Sequence, residues 1–200
     1  MFPLGTVLFP GGFLPLHVFE DRYRVMTREC LAGDRSFGVV LIERGSEVGG
    51  GDTRVAVGTR ASITDARELP DGRWVLAVLG VERVQVEEWL PDDPYPRAAV
   101  SVLSDPAPGE GAREQAVAVE AKLRRALGLW SELGERGPPA TFDLADEPLL
   151  ATYQMCTLAP VGPADAQTLL EAATTERRLE LLHTFLDDAI ALFAHRLGSG

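Results

Sequence analysis

Two hundred residues, 46% of them apolar, suffice for one sizeable core or two small ones. The formal charge of −11 is spread along the chain, 16 acidic against 11 basic residues in 1–105 and 14 against 8 in 106–200. Such a surface repels phosphate backbones and anionic bilayers, so nucleic acid and membrane are disfavoured as partners.

The first 19 residues are uncharged, yet they lack the basic start of a signal peptide. Pro3, Gly5, Pro10, Gly11, Gly12 and Pro15 also interrupt any helix long enough to span a bilayer. After this broken opening, residues 13–19 and 37–42 read as extended runs apolar enough to be buried on two faces. Between them residues 21–31 have helical spacing. Tyr23, Met26, Cys30 and Leu31 share one side, Glu20 and Asp21 favour the helix start, and Gly33 stands where a cap falls. Arg22 and Arg24 are placed to pair with nearby acids on the helix surface.

Residues 43–52, ERGSEVGGGD, read as a connection. A strand resumes over 54–63, with Gly58 as a bulge or close-approach point. Leu69-Pro-Asp-Gly-Arg73 carries a turn signal and predicts a hairpin into a strand over 74–79. Beyond Gly80, Val84 and Val86 alternate with Arg83, Gln85 and Glu87, and residues 97–103 make a last strand after the PDDPYP turn. Five or six strands with one early helix predict a closed or half-closed barrel, which hides its edges.

Residues 104–112, SDPAPGEGA, form a linker, and everything beyond is helical. Ala116, Val119, Leu123, Leu127 and Trp130 make one apolar stripe. Pro138 and Pro139 separate it from a helix over 147–158, and Pro160 and Pro163 separate that from a short helix over 164–173. The last helix covers 175–197, with Leu179, Leu182, Leu186, Ile190 and Phe193 on one face. The expected fold class is α+β: a barrel subdomain over 1–104, a linker over 105–112 and a four-helix bundle over 113–200.

Chemistry is conspicuous by what is missing. Lys122 is the single lysine and stands in no motif, which rules out a P-loop, and a Ser-Lys dyad has no other lysine to use. Gly49-Gly50-Gly51 precedes a strand-like segment and reads as a hairpin loop, not a phosphate cradle. No GxSxG elbow occurs, and Cys30 and Cys156 read as free thiols of a reducing cytoplasm. His183 and His195 point about 120° apart on one helix by 3.6-residue geometry and cannot share an ion. His17 with Glu20 and Asp21 lies where a strand ends, so its first job is architectural. No catalytic residue, cofactor or metal is expected.

With those residues placed, the chain resembles the Lon substrate-binding (Lon N-terminal) domain family. PLGTVLFPGGFLPLHVFEDRYRVM is similar to that family's opening signature, although the family often has proline where this chain has Asp21. FGVVLIERGSEVGGGD, VGTRASI, DGRWVLAVLGVERVQV and, less sharply, AQTLLEAATTERRLELL extend the resemblance over essentially the whole chain. The resemblance implies a PUA-like β-barrel followed by a helical bundle. It also implies a stand-alone, non-catalytic polypeptide-binding module without the ATPase and Ser-Lys protease domains of the full protease.

The partners expected on that basis are unfolded or disordered polypeptide segments, together with a separate ATPase or protease. They would be held in apolar grooves beside the barrel or at its junction with the bundle, or added to an edge strand. Candidate contacts from the signature are Phe13, Pro15, His17, Arg22 and Tyr23, and Trp74, Trp89 and Tyr95 are alternative anchors. Two further readings compete. One is a PUA-like RNA-binding protein, which would need a basic patch from Arg54, Arg60, Arg67 and Arg73; the other is a regulatory module with a specific folded partner.

Overall fold

The computed structural model describes residues 1–45, 51, 53–135 and 137–199. The chain divides into two compact units, Met1–Ser104 and Asp105–Gly200. Most of the connection 43–52, including Gly49 and Gly50 of the triple glycine, lies outside the described residues.

The described residues of the first unit form six strands and one helix: β1 (Phe2–Leu4), β2 (Phe13–Val18), α1 (Asp21–Ala32), β3 (Ser36–Arg44), β4 (Thr53–Glu68), β5 (Trp74–Leu90) and β6 (Arg97–Val102). They form one sheet in the order β1-β3-β4-β5-β2, with β6 also paired to β5. Among the described residues only β1 and β3 run parallel; every other pairing is antiparallel. Long β5 serves two neighbours, its first half pairing β2 and its second half β6.

This geometry corrects the expected barrel. Among the described residues the path ends at β1 on one side and at β2 on the other, and those two strands do not pair, so the sheet stays open. Its interior is filled by the helix as well as by the strands. Tyr23 and Met26 of α1 pack with Phe2, Leu4, Leu16, Val18, Val39, Ile63, Leu76 and Val78 in one buried cluster. A helix that supplies core side chains removes the need for the sheet to close on itself.

Local signals explain the elements. Glu20 precedes α1 in extended conformation, Asp21 supplies an acid to its first turn, and the Gly33 N–H donates to Glu29 and Cys30 carbonyls. The hairpin between β4 and β5 turns at Pro-Asp-Gly. There Leu69 N–H donates to the Arg73 carbonyl (2.8 Å) and Gly72 N–H to the Leu69 carbonyl (2.8 Å). The register between β3 and β4 shifts just beyond the Val40–Gly58 pair, at the glycine expected to mark a bulge or a close approach.

Two strand readings change. β5 runs unbroken through Gly80, because that glycine is a contact and not a stop. Gly11 N–H donates to the Gly80 carbonyl and Gly80 N–H to the Gly12 carbonyl, each at 2.8 Å, and a Cβ at position 80 would run into the Phe9 carbonyl. The second change concerns β2, which is buried on one face only: Leu16 and Val18 point inward, and Phe13, Pro15 and His17 are exposed. By contrast β3 buries Phe37, Val39, Val40 and Leu41, close to the expectation of two covered faces.

The second unit holds α2 (Ala112–Glu132), α3 (Pro148–Leu158), α4 (Pro163–Glu171) and α5 (Thr175–Gly198). Helices α2 and α5 lie along each other, burying Val119, Leu123 and Leu127 of one and Leu179, Leu182 and Leu186 of the other. Prolines open α3 and α4, where a missing N–H costs nothing. The expected helices form close to their expected bounds, the third of them short as read, but with 11 and 9 residues against 21 and 24, α3 and α4 are props on a long pair and not members of a regular four-helix bundle.

A buried charge ties this unit together. The fully buried Arg178 of α5 donates to the Leu169 and Ala172 carbonyls (2.9 and 2.8 Å) and to Asp105 (3.2 Å). Its guanidinium lies 4.4 Å over the Tyr153 ring, and the Tyr153 hydroxyl donates to the other Asp105 oxygen (2.7 Å).

Candidate functional site

Residues of β1, β2 and α1 line a cleft of about 140 Å³, with Phe2 and Leu4 on one side and Pro15 to Phe19 on the other. Since β1 and β2 are the two ends of the sheet, the cleft sits where the sheet fails to close. Its floor is aromatic: Phe2 stacks on Tyr23 with ring centroids 4.3 Å apart. Near it, Arg22 lies 4.5 Å over the Tyr23 ring and pairs with Glu20 at 3.2 Å. That arginine is already neutralised, and apart from His17 and Glu20 the cleft is lined by apolar and aromatic side chains.

Strand β2 forms one wall, and its odd-numbered side chains face solvent. Phe13 is 62% exposed, and Phe19, just past the strand end, is 52% exposed. Directly across from Phe13 on β5 stands Leu79, also exposed. The bond from Gly80 N–H to the Gly12 carbonyl sets the alternation of the ladder. Leu14, Leu16 and Val18 turn their backbone groups toward β5, and Phe13, Pro15 and His17 turn theirs to the open edge. Proline is tolerated at position 15 for that reason, since its missing N–H would have pointed outward. The result is an edge strand with free backbone on its rim and an apolar stripe on its face.

The eight residues singled out from the sequence are not gathered in one place. Phe13, Pro15 and His17 share the outer face of β2. Tyr23 is buried and Arg22 half-buried over it, so both support the cleft from within. Trp74 is half-buried at the start of β5, opposite Val18 and packed on the core. Trp89 lies near the other end of β5 with the Arg54 guanidinium 4.9 Å over its ring. Tyr95 bonds Glu29 of α1 through its hydroxyl, and that acceptor carboxylate pushes the phenol up to about 12.

Phe19 is the residue sequence reasoning missed as a surface group. The alternation 13, 15, 17, 19 carried the signal, and it was hidden because Leu14, Leu16 and Val18 are equally apolar.

Glu20 is engaged by Arg22 and not by His17, and no group of three His, Cys, Asp or Glu among the described residues is placed to hold a metal. Three of the four arginines that RNA would need are already in ion pairs. Arg54 meets Asp92 at 3.6 Å, Arg60 meets Glu82 at 2.8 Å and Arg73 meets Asp71 at 2.7 Å. Both cysteines are free thiols, and burial pushes Cys156 up to about 12. No helix among the described residues is long and apolar enough to cross a membrane.

An open sheet with an early helix in its core, followed by a helical unit, is the architecture of Lon N-terminal domains. The chain matches a Lon N-terminal domain protein from Xanthomonas campestris with a TM-score of 0.65 and 28% identity, over 90% of this chain and 94% of that one. The N-terminal domain of Mycobacterium avium complex Lon protease shares the fold at a TM-score of 0.65 and 16% identity, covering 93% of this chain. Residues 1–188 match the family described as the ATP-dependent protease La (LON) substrate-binding domain, and the chain belongs to that family.

Among its relatives, Lon protease 2 of Herpetosiphon aurantiacus is 31% identical over 196 residues, 94% of this chain and 23% of that protein. Lon protease of Roseiflexus castenholzii is 27% identical over 188 residues, 91% of this chain and again 23% of the relative. The chain thus spans about a quarter of the length of the curated relatives it matches.

Proposed function

We propose that this chain is a non-catalytic polypeptide-binding module that captures exposed apolar segments of unfolded or disordered proteins on the outer face of β2. The observation that carries the reading is the stripe of Phe13, Pro15 and Phe19 on an unpaired edge, inside the part of the sequence that most closely resembles the family signature. An extended segment laid on this edge gains backbone hydrogen bonds from the rim and buries apolar side chains against the stripe and cleft. Covering an exposed phenylalanine is worth about 1.5–3 kcal/mol. A site of this size therefore binds weakly and broadly, which suits a module that samples many clients before handing them to an ATPase or protease.

Fluorescence anisotropy of a labelled, permanently unfolded polypeptide tests the reading. Titration with this protein is expected to give saturable binding that survives a rise in salt, because the driving force is apolar burial, while a labelled RNA of similar size gives none. Failure to bind the polypeptide, or salt-sensitive binding of the RNA in its place, would overturn it.

A further inference from the structure

A second edge of the sheet is open at β6. Strand β5 pairs its inner side, and among the described residues no strand pairs with its outer side. Natural edge strands are ordinarily blunted by lysine, proline or a covering element. Residues 98–102, Ala-Ala-Val-Ser-Val, contain no charge and no proline, and every residue of β6 except Ala98 is exposed. Val100 and Val102 are 45% and 57% exposed.

The ladder shows which backbone groups are on offer. Leu103 N–H donates to the Arg83 carbonyl at 2.9 Å, in register with the Val102–Val84, Ser101–Gln85 and Val100–Val86 pairs. By the alternation of antiparallel pairs, residues 101 and 103 turn toward β5, and Val100 and Val102 turn their N–H and C=O groups outward. An incoming strand would meet two donors and two acceptors, with two valine side chains beside them.

Charge selects the occupant. Glu87, Glu88 and Asp93 are exposed around this edge, beside Asp92 that Arg54 already engages at 3.6 Å, whereas Arg97 is the one cation in β6. A second copy of the chain would bring the same acids to the same edge. We propose that the outer edge of β6 is a docking strand for an extended polypeptide with alternating apolar and basic side chains. The backbone of that polypeptide continues the sheet and its cations sit against the flanking carboxylates. This site shares no residue with the β2 face and stands independently of the function assigned there.

Two labelled hexapeptides, one alternating lysine with valine and one alternating glutamate with valine, test the proposal on the full chain by anisotropy and by amide hydrogen exchange. The lysine peptide is expected to bind, to slow exchange at residues 98–102 and to weaken as salt rises, and the glutamate peptide to stay free. Val100→Pro removes an outward donor and leaves the β5 ladder intact, so it should weaken binding about tenfold. Should that variant disturb the fold, Val100→Lys with Val102→Lys keeps the backbone, sets like charge against the peptide and is expected to produce the same loss. The double variant Phe13→Ser, Phe19→Ser is expected to bind the lysine peptide as the parent does. Equal binding of both peptides, undiminished binding by the β6 variants, or protection located away from 98–102 would overturn the proposal. So would β6 amides that become protected in the protein alone as its concentration rises, because that result assigns the edge to a second copy.

Discussion

At the scale of single residues, much of the first unit depends on positions where one atom too many would not fit. Gly72 ends the Pro-Asp-Gly turn at φ +78°, where a side chain is strained, and a Cβ there would collide with the Arg24 guanidinium that lies over the turn from α1. Gly72→Ala is therefore expected to cost about 1–3 kcal/mol, read as a lower urea midpoint with an unchanged slope. A midpoint equal to the parent's would mean that Arg24 simply moves aside.

The two thiols offer a second test at this scale. The reactive species is the thiolate, so a raised pKa shrinks the reactive fraction at any pH below it. Burial drives Cys156 up to about 12 and also raises the half-buried Cys30. In the native protein at pH 8, Cys156 is expected not to react with an aromatic disulfide reagent and Cys30 to react slowly, and both should react at once in denaturant. Rapid labelling of two thiols under native conditions would contradict the buried placement of α3.

At the scale of elements, the helices were the most legible part of the chain. The stripe from Val119 to Leu127, the breakers Pro138, Pro139, Pro160 and Pro163, and the stripe from Leu179 to Phe193 each placed a helix close to where it forms, because period and breaker agree there. Thr174, which accepts from Arg177 N–H at 3.1 Å, caps the start of the last of them.

Strands were harder to read, for two physical reasons. Gly80 looks like punctuation in one dimension, and its reason for being glycine is a turn that arrives from residues 9–12. Gly80→Val is accordingly expected to destabilise by about 2 kcal/mol and to raise amide exchange in β2, which rests on that contact. In β2 itself the even positions are as apolar as the odd ones, so nothing in the sequence separates the buried face from the exposed one. Phe19 was hidden among core residues for that reason, and the three signature residues on the surface were not distinguishable from Tyr23 beneath them.

The buried Arg178 belongs to the same scale, because it joins the segment at Asp105 to Tyr153 of α3, the carbonyls at the end of α4, and α5. Asp105→Asn leaves the guanidinium buried without its counter-charge, which typically costs about 3 kcal/mol. Tyr153→Phe removes one hydrogen bond and should cost about 1 kcal/mol. Equilibrium denaturation of both variants checks the order; equal small losses would mean that the Leu169 and Ala172 carbonyls alone suffice to hold Arg178.

For the molecule as a whole, membership of the Lon substrate-binding family was legible from the opening signature, and the family match over residues 1–188 shows it. The open sheet was not legible. A run of short strands predicts closure, and only the packing of α1 into the core shows why closure is unnecessary. That gap creates the cleft beside β2, so one departure from the expected barrel also produces the surface on which the proposed function rests.

The most direct test of that claim combines the binding titration with a surface variant that leaves the core alone. Phe13→Ser with Phe19→Ser alters two exposed side chains, so thermal stability should stay close to the parent's, while affinity for a labelled, permanently unfolded polypeptide should fall about tenfold or more. Unchanged affinity in a variant that melts like the parent would contradict the account and move polypeptide capture away from β2.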